Sequence, residues 1–258
     1  MNTTNTAMKW IKRVLLIVGA LFAGPILTVA CGNVNMGQDW RTADRSSAGL
    51  APDPRETSEA VVQVYAARAF NWRGALGVHT WIATKSPHGH YYTVHQVMGW
   101  RSHRNLPVVV SRSDIPDRYW YGATPELLVD VRGGRAAELI PRIDAAVASY
   151  PYEREYVLWP GPNSNTFTAY VGREVPELAM DLPTTAIGKD FPTNGSIVQS
   201  APSGTGGQLS LYGLLGITVA REEGLEINIL ALSFGIDVLR PAIKLPGFGR
   251  IGMTKSPR

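Results

Sequence analysis

Hydrophobic positions follow three regimes along the chain. Residues 14–32 (VLLIVGALFAGPILTVACG) carry no charge, and the run is close to the roughly 20 residues that take a helix across a bilayer core. Apolar runs of strand length then occupy 60–67, 77–84, 91–100 and 106–111. They are β-branched and aromatic, with Gly, Pro, Asn or Ser between them, which predicts a small antiparallel sheet. Over 138–149 the spacing changes, and Leu139, Ile140, Ile143, Ala146 and Val147 recur at the period of a helix. A short strand is expected at 155–159, a turn at Pro160-Gly161-Pro162, and a second helix from about Asn165 toward Val175, stopped by Pro176. Residues 181–209 read as a loop. The segments 211–219 and 225–234 read as a hairpin, and polar residues 33–58 as a linker or extended arm.

Together these predict an α+β protein: a membrane-spanning or signal segment (1–32), the linker (33–58) and one globular domain (59–258). That domain would hold a small antiparallel sheet with packed helices. Composition fits a folded chain, with 45% hydrophobic and 18% charged residues. The net charge of +4 is misleading, because Lys9, Lys12 and Arg13 lie before the apolar run and no acid occurs in residues 1–31. The remainder is nearly neutral, which gives no electrostatic case for a nucleic-acid partner. A local excess at the C-terminus (Arg250, Lys255, Arg258) reads as a solvated tail.

Basic residues before the apolar run would keep the N-terminus cytoplasmic and place the domain outside, in the periplasm or at the cell surface. The segment could stay as an anchor, be cleaved as a signal, or give way to a lipid on Cys31, which follows Thr28-Val29-Ala30. Cys31 is the only cysteine, so no intrachain disulfide or cysteine metal site can form. Its place at the end of the apolar run removes it from any folded active site. His88-Gly89-His90 could hold a metal, but sits in a Pro/Gly turn without a nearby acid and reads as an exposed loop. No cofactor is implied.

The candidate chemistry lies in Pro160-Gly161-Pro162-Asn163-Ser164-Asn165-Thr166-Phe167. Asn163 or Ser164 is a natural helix cap. A nucleophile at Ser164 would gain from the helix dipole, and N–H groups near Asn163 and Asn165 could hold an oxyanion. Ser164 also falls on the face of Phe167. A serine needs a base, and His79 alternates with Trp81 and Ala83 on one strand face. His95 or Glu155 could orient His79, depending on register. Two bland roles compete: Ser164 and Asn163 as plain caps, and His79 as a satisfied core histidine.

Several stretches resemble the bacterial family called domain of unknown function 3750: WRTADRSSAGL, HTWIATK, WPGPNSNTFTAYVGREVPEL, LPTTAIGKD, LYGLLGITVAREEGLE and FGIDVLRPAIKLPGFGRIG. The resemblance runs from about Trp40 to Gly252 and implies no activity. A more distant one is to circularly permuted papain-like proteins, including lecithin–retinol acyltransferase-like enzymes. They carry a strand histidine resembling His79-Thr80, followed by an Asn-Cys-Asn-x-Phe-like helix start where this chain has Asn163-Ser164-Asn165-Thr166-Phe167. This resemblance implies His79 as base and Ser164 at the nucleophile position, with serine in place of cysteine. The expected function is then a cell-envelope hydrolase or acyl/peptidyl transferase. The alternative is a non-catalytic module binding a lipid, peptide or cell-wall fragment.

Overall fold

The computed structural model describes residues 3–32, 34 and 36–254. Lys255 and Arg258, of the expected basic tail, lie outside them. The chain forms a mixed α/β structure with two antiparallel sheets, few helices and one N-terminal apolar helix. Helix α1 covers Thr3–Ala30, and its segment Met8–Ala30 is long and apolar enough to cross a membrane.

The first sheet has strands β1 (Val61–Arg68), β2 (Val78–Lys85), β3 (Thr93–Val97), β4 (Val109–Ser113) and β5 (Glu126–Arg132). Its order is β4-β3-β2-β1-β5. The run expected as a strand at 91–100 is shorter than predicted. It stops at Val97 and passes into a 3₁₀ turn at Gly99–Arg104. β5, whose Pro-preceded and charge-rich stretch gives a weak strand signal, was not foreseen; it pairs with β1.

Both faces of this sheet are covered. On one, Val62, Val64, Ile82 and Val129 pack beneath helices α2 (Gly133–Ala148) and α3 (Ser164–Glu174). On the other, Tyr65, Trp81, Tyr92 and Trp120 form a second core. The alternation that turns successive side chains to opposite faces is therefore apolar on both sides. The arm at 36–58 reaches the second face: Asp117 accepts hydrogen bonds from the Ser47 hydroxyl (2.8 Å) and the Leu50 and Ala51 amides. No strand forms at 155–159, where the chain instead leads irregularly to the cap of α3.

The second sheet is a meander. Its strands are β6 (Val198–Ser200), β7 (Gly206–Leu211), β8 (Leu215–Ala220), β9 (Gly224–Ile229), β10 (Leu232–Asp237), β11 (Ala242–Leu245) and β12 (Gly249–Gly252). Neighbours in sequence are neighbours in the sheet. The expected hairpin is present as β8–β9, with Val219 opposite Leu225. The expected loop at 181–209 contains β6 and the start of β7, because glycine and serine occupy ladder positions there.

This sheet is patterned in reverse. Gln208, Thr218, Glu226 and Lys244 are buried and lie in one cross-strand row. The opposite face carries Leu209, Ile217 and Ile227 in one row and Val219, Leu225, Ile236, Ile243 and Ile251 in another. Each of these eight is exposed. The buried polar groups meet the segment after α3. Lys189 pairs with Glu226, Lys244 reaches Glu226 at 2.7 Å and Asp181 at 3.4 Å, and Asp190 accepts from Asn228 and Ser233. Burial pushes the Lys189 ammonium down, but Glu226 and Asp190 outweigh it and raise its pKa. Arg250 is no tail residue: it donates to Asp237 at 3.0 Å.

Candidate functional site

Helix α3 begins where the sequence predicted, because Asn163 closes a capping box. Its carboxamide oxygen accepts from the Asn165 (2.9 Å) and Thr166 (3.2 Å) amides, while the Thr166 hydroxyl accepts from the Asn163 amide at 3.1 Å. The Asn163 side-chain NH₂ donates to the Leu158 and Ile187 carbonyls. Asn165 donates to the Val78 and Ile187 carbonyls and accepts from Thr80 at 3.0 Å. Both asparagines are thus fully engaged in tying the helix start to β2 and to the segment near 187. Gly188 permits the close approach: its φ is +99°, and a Cβ there would overlap the Asn163 carboxamide.

These bonds change the expected oxyanion site. The Asn163, Asn165 and Thr166 amides already have partners. Among the described residues, the Ser164 backbone N–H and hydroxyl make no hydrogen bond. A helix leaves its first N–H groups without intrahelical partners, so the remaining donor at this terminus belongs to Ser164 itself. Ser164 is largely buried, yet it lines a cavity of about 950 Å³.

His79 lines the same cavity. Its imidazole stacks on Trp120 with centroids 3.7 Å apart, and its Nε2 lies 3.1 Å from the Gln96 carboxamide oxygen. With that oxygen as acceptor, Nε2 carries the proton and Nδ1 keeps its lone pair. Burial lowers the pKa to about 4, with the Gln96 bond partly opposing. The ring is therefore neutral at pH 7 and competent to accept a proton.

The sequence put His79 on the strand face of Trp81 and Ala83, and Ser164 on the helix face of Phe167. In the structure α3 packs on the Thr80 face, where the Thr80 hydroxyl lies 3.0 Å from the Asn165 carboxamide oxygen and 2.9 Å from the Thr168 hydroxyl. His79 is on the opposite face with Trp81 and Trp120. The two meet around the open beginning of β2, across the cavity. No hydrogen bond joins His79 to Ser164.

His95 does not reach His79. It lies on the other face, 2.8 Å from the Ser111 hydroxyl, 3.2 Å from Thr84 and 3.7 Å from Asp144. Ile82 stands opposite His95 in the ladder, so the neighbouring residue, Gln96, shares the His79 face. Gln96 was missed in the sequence. The His95-Gln96 dipeptide shows that one of the two faces His79, but only the register shows which. Aromatic side chains make up much of the remaining cavity wall, among them Trp40, Phe70, Trp72, Trp100 and Trp159. A second hollow of about 350 Å³ shares the walls Trp100, Trp120 and Tyr121 and is ringed by Arg45, Arg101, Arg112 and Arg118. Asp114 pairs with two of them, Arg112 and Arg118, each at 3.0 Å.

The molecule is thus an α/β protein whose covered antiparallel sheet carries a helix-capped aromatic cavity. The sequence signature of the family described as "Protein of unknown function (DUF3750)" matches residues 59–191, just over half of the chain, and the chain belongs to that family. The matched region holds the first sheet, α2, α3 and every cavity-lining side chain discussed here except Trp40 and Arg45; the meander lies beyond it. No curated protein and no solved structure matches the chain.

Proposed function

We propose that this protein is a membrane-anchored acyl-transfer enzyme, a hydrolase or transferase of the permuted papain-like type, acting on an amphiphile with an anionic group. One observation carries the reading. A serine with hydroxyl and N–H both unengaged, at a helix N-terminus, shares an aromatic cavity with a neutral histidine whose Nδ1 is free. In this reading the Ser164 Oγ attacks an ester or amide carbonyl and His79 Nδ1 takes the proton. The Ser164 N–H bonds the developing oxyanion. Collapse expels the alcohol or amine, which recovers the proton from His79. Water or a second nucleophile then releases the acyl group. Gln96 holds the tautomer. The long Ser–His approach tightens as substrate fills the cavity, as such pairs commonly do. The aromatic wall suits an acyl chain, and the four guanidiniums, two of them paired with Asp114, suit a phosphate or carboxylate.

The missing Ser–His bond favours a second reading, in which the same groove binds the amphiphile without turnover. A fluorescent alkyl phosphonate tests the choice on the full chain in detergent micelles. The enzyme reading expects labelling that Ser164→Ala abolishes and His79→Gln reduces, while Ser164→Cys in a Cys31→Ser background becomes reactive to iodoacetamide. No labelling of the parent chain, together with unchanged binding of a fluorescent acyl phosphate by Ser164→Ala, establishes the binding module instead.

The anchor reading places the folded part outside the cytoplasm, by the basic residues Lys9, Lys12 and Arg13 that precede the uncharged run within α1. Cys31, exposed just past that helix, is a built-in reporter. A membrane-impermeant maleimide should label it on intact spheroplasts. Protection until lysis would reverse the orientation, and a lipid found on its sulfur would replace the anchor.

A further inference from the structure

The outer face of the meander is apolar. It is an ordered surface: eight aliphatic side chains in cross-strand register, all exposed. The sheet cannot turn this face inward, because its other side is fastened by the Lys189–Glu226–Lys244 ion cluster and by Asp190. Soluble monomers rarely leave a contiguous apolar patch of this kind uncovered.

Its position indicates what covers it. Helix α1 is packed directly onto the turn between β11 and β12. The Thr28 hydroxyl donates to the Gly247 carbonyl at 3.0 Å, and Gly24 is close enough to Pro246 that a Cβ would collide with its carbonyl oxygen. The Arg68 guanidinium, at the end of β1, donates to the Gly247 and Phe248 carbonyls of the same turn. Helix and both sheets are therefore joined at one point. At 1.5 Å per residue, Met8–Ala30 is about 34 Å long, a little more than a hydrocarbon core of about 30 Å. Gly24 and Thr28 then lie about 9 and 3 Å inside the outer end of the span. With α1 read as a membrane helix, the turn would lie at the boundary between headgroups and acyl chains, the depth at which apolar protein faces rest on a bilayer.

We infer that the outer face of the meander lies against the membrane and is a second lipid-contact surface beside α1. This rests on the reading of α1 as a membrane helix. Alternation of apolar-out and polar-in along short strands is also the pattern of sheets that face lipid. The meander would hold the cavity at a fixed height above the bilayer, within reach of a membrane amphiphile.

The test uses the full chain in vesicles of equal parts phosphatidylcholine and phosphatidylglycerol. In a Cys31→Ser background, an environment-sensitive fluorophore is attached through Ile217→Cys, Ile227→Cys or Ile243→Cys on the meander. Leu16→Cys on α1 and Glu138→Cys on the exposed side of α2 serve as references. Expected are blue-shifted emission at 217, 227 and 243 and its loss when the lipids are brominated, as at 16 but not at 138. Quenching at 16 with the meander labels open to aqueous iodide would overturn the inference and leave the anchor standing. Lipid quenching on the meander but not at 16 would support lipid contact while removing the anchor. Water exposure at all sites would end both. Blue-shifted meander labels that ignore brominated lipid but quench one another between copies would show a second copy covering the face, and would also overturn it.

Discussion

The two sheets bury opposite kinds of side chain. The five-stranded sheet is a sandwich filling, apolar on both faces and covered on both. It carries the cavity on its seam. The seven-stranded meander buries its polar face and displays its aliphatic one. Burying apolar area stabilises by roughly 25 cal/mol per Å², so the first sheet is held by the solvent. The second is held by its ion pairs and hydrogen bonds, which break even only when every charge is matched. Hydrophobic patterning thus marks contact with something apolar; whether that is protein or an outside medium depends on the rest of the fold.

The largest effect should come from unbalancing the meander. Lys189→Met leaves the buried carboxylates Glu226, Asp190 and Asp181 with Lys244 as their one lysine partner in the cluster and should cost about 3–5 kcal/mol in equilibrium unfolding. Lys189→Met with Glu226→Leu should recover part of that loss, since the charge balance behind the sheet is restored and Lys244 keeps Asp181. A comparable loss, about 3–5 kcal/mol, is expected for Phe167→Ala, which opens a cavity under the first sheet. If Phe167→Ala proves mild while Lys189→Met unfolds the chain, the meander and not the first sheet dominates stability.

His79 provides a pH test. Its folded pKa, about 4, lies below its ordinary value, so the unfolded chain binds more protons between about 4 and 6.5. The contribution of neutral His79 is therefore complete above about pH 6.5 and is lost as pH falls toward 4. It amounts to about 3 kcal/mol. Unfolding of the parent chain against pH should show this slope, and His79→Gln should flatten it. On the enzyme reading, the acid limb of kcat/KM falls near 4 as well.

Smaller effects separate the two surfaces further. Gly188→Ala should cost about 1–2 kcal/mol, by strain at positive φ and displacement of the Asn163 cap. Ile227→Ala, on the outer face of the meander, should change stability in detergent by less than about 0.5 kcal/mol. A large loss there would mean that the face is packed against protein.

Much of this was readable in the chain. The uncharged run before Cys31 needs only length and composition to be a membrane-length helix. The strands around His79 and the start of α3 follow from local signals: β-branched runs, and Asn163 followed at a distance of three by the Thr166 hydroxyl. The spacing of Leu139, Ile140 and Ile143 likewise fixed a helix, although α2 begins earlier than expected, at Gly133. What needed three dimensions was every relation between segments. Register chose Gln96 over His95 as the partner of His79. Packing of the α3 start against the beginning of β2 brought His79 and Ser164 to one cavity from opposite faces. The inverted meander was invisible because alternation reports two different faces without saying which is inside. A sequence carries local energy directly. Which face finds the core, and which amide is left free at Ser164, depends on partners far along the chain, and only the fold supplies them.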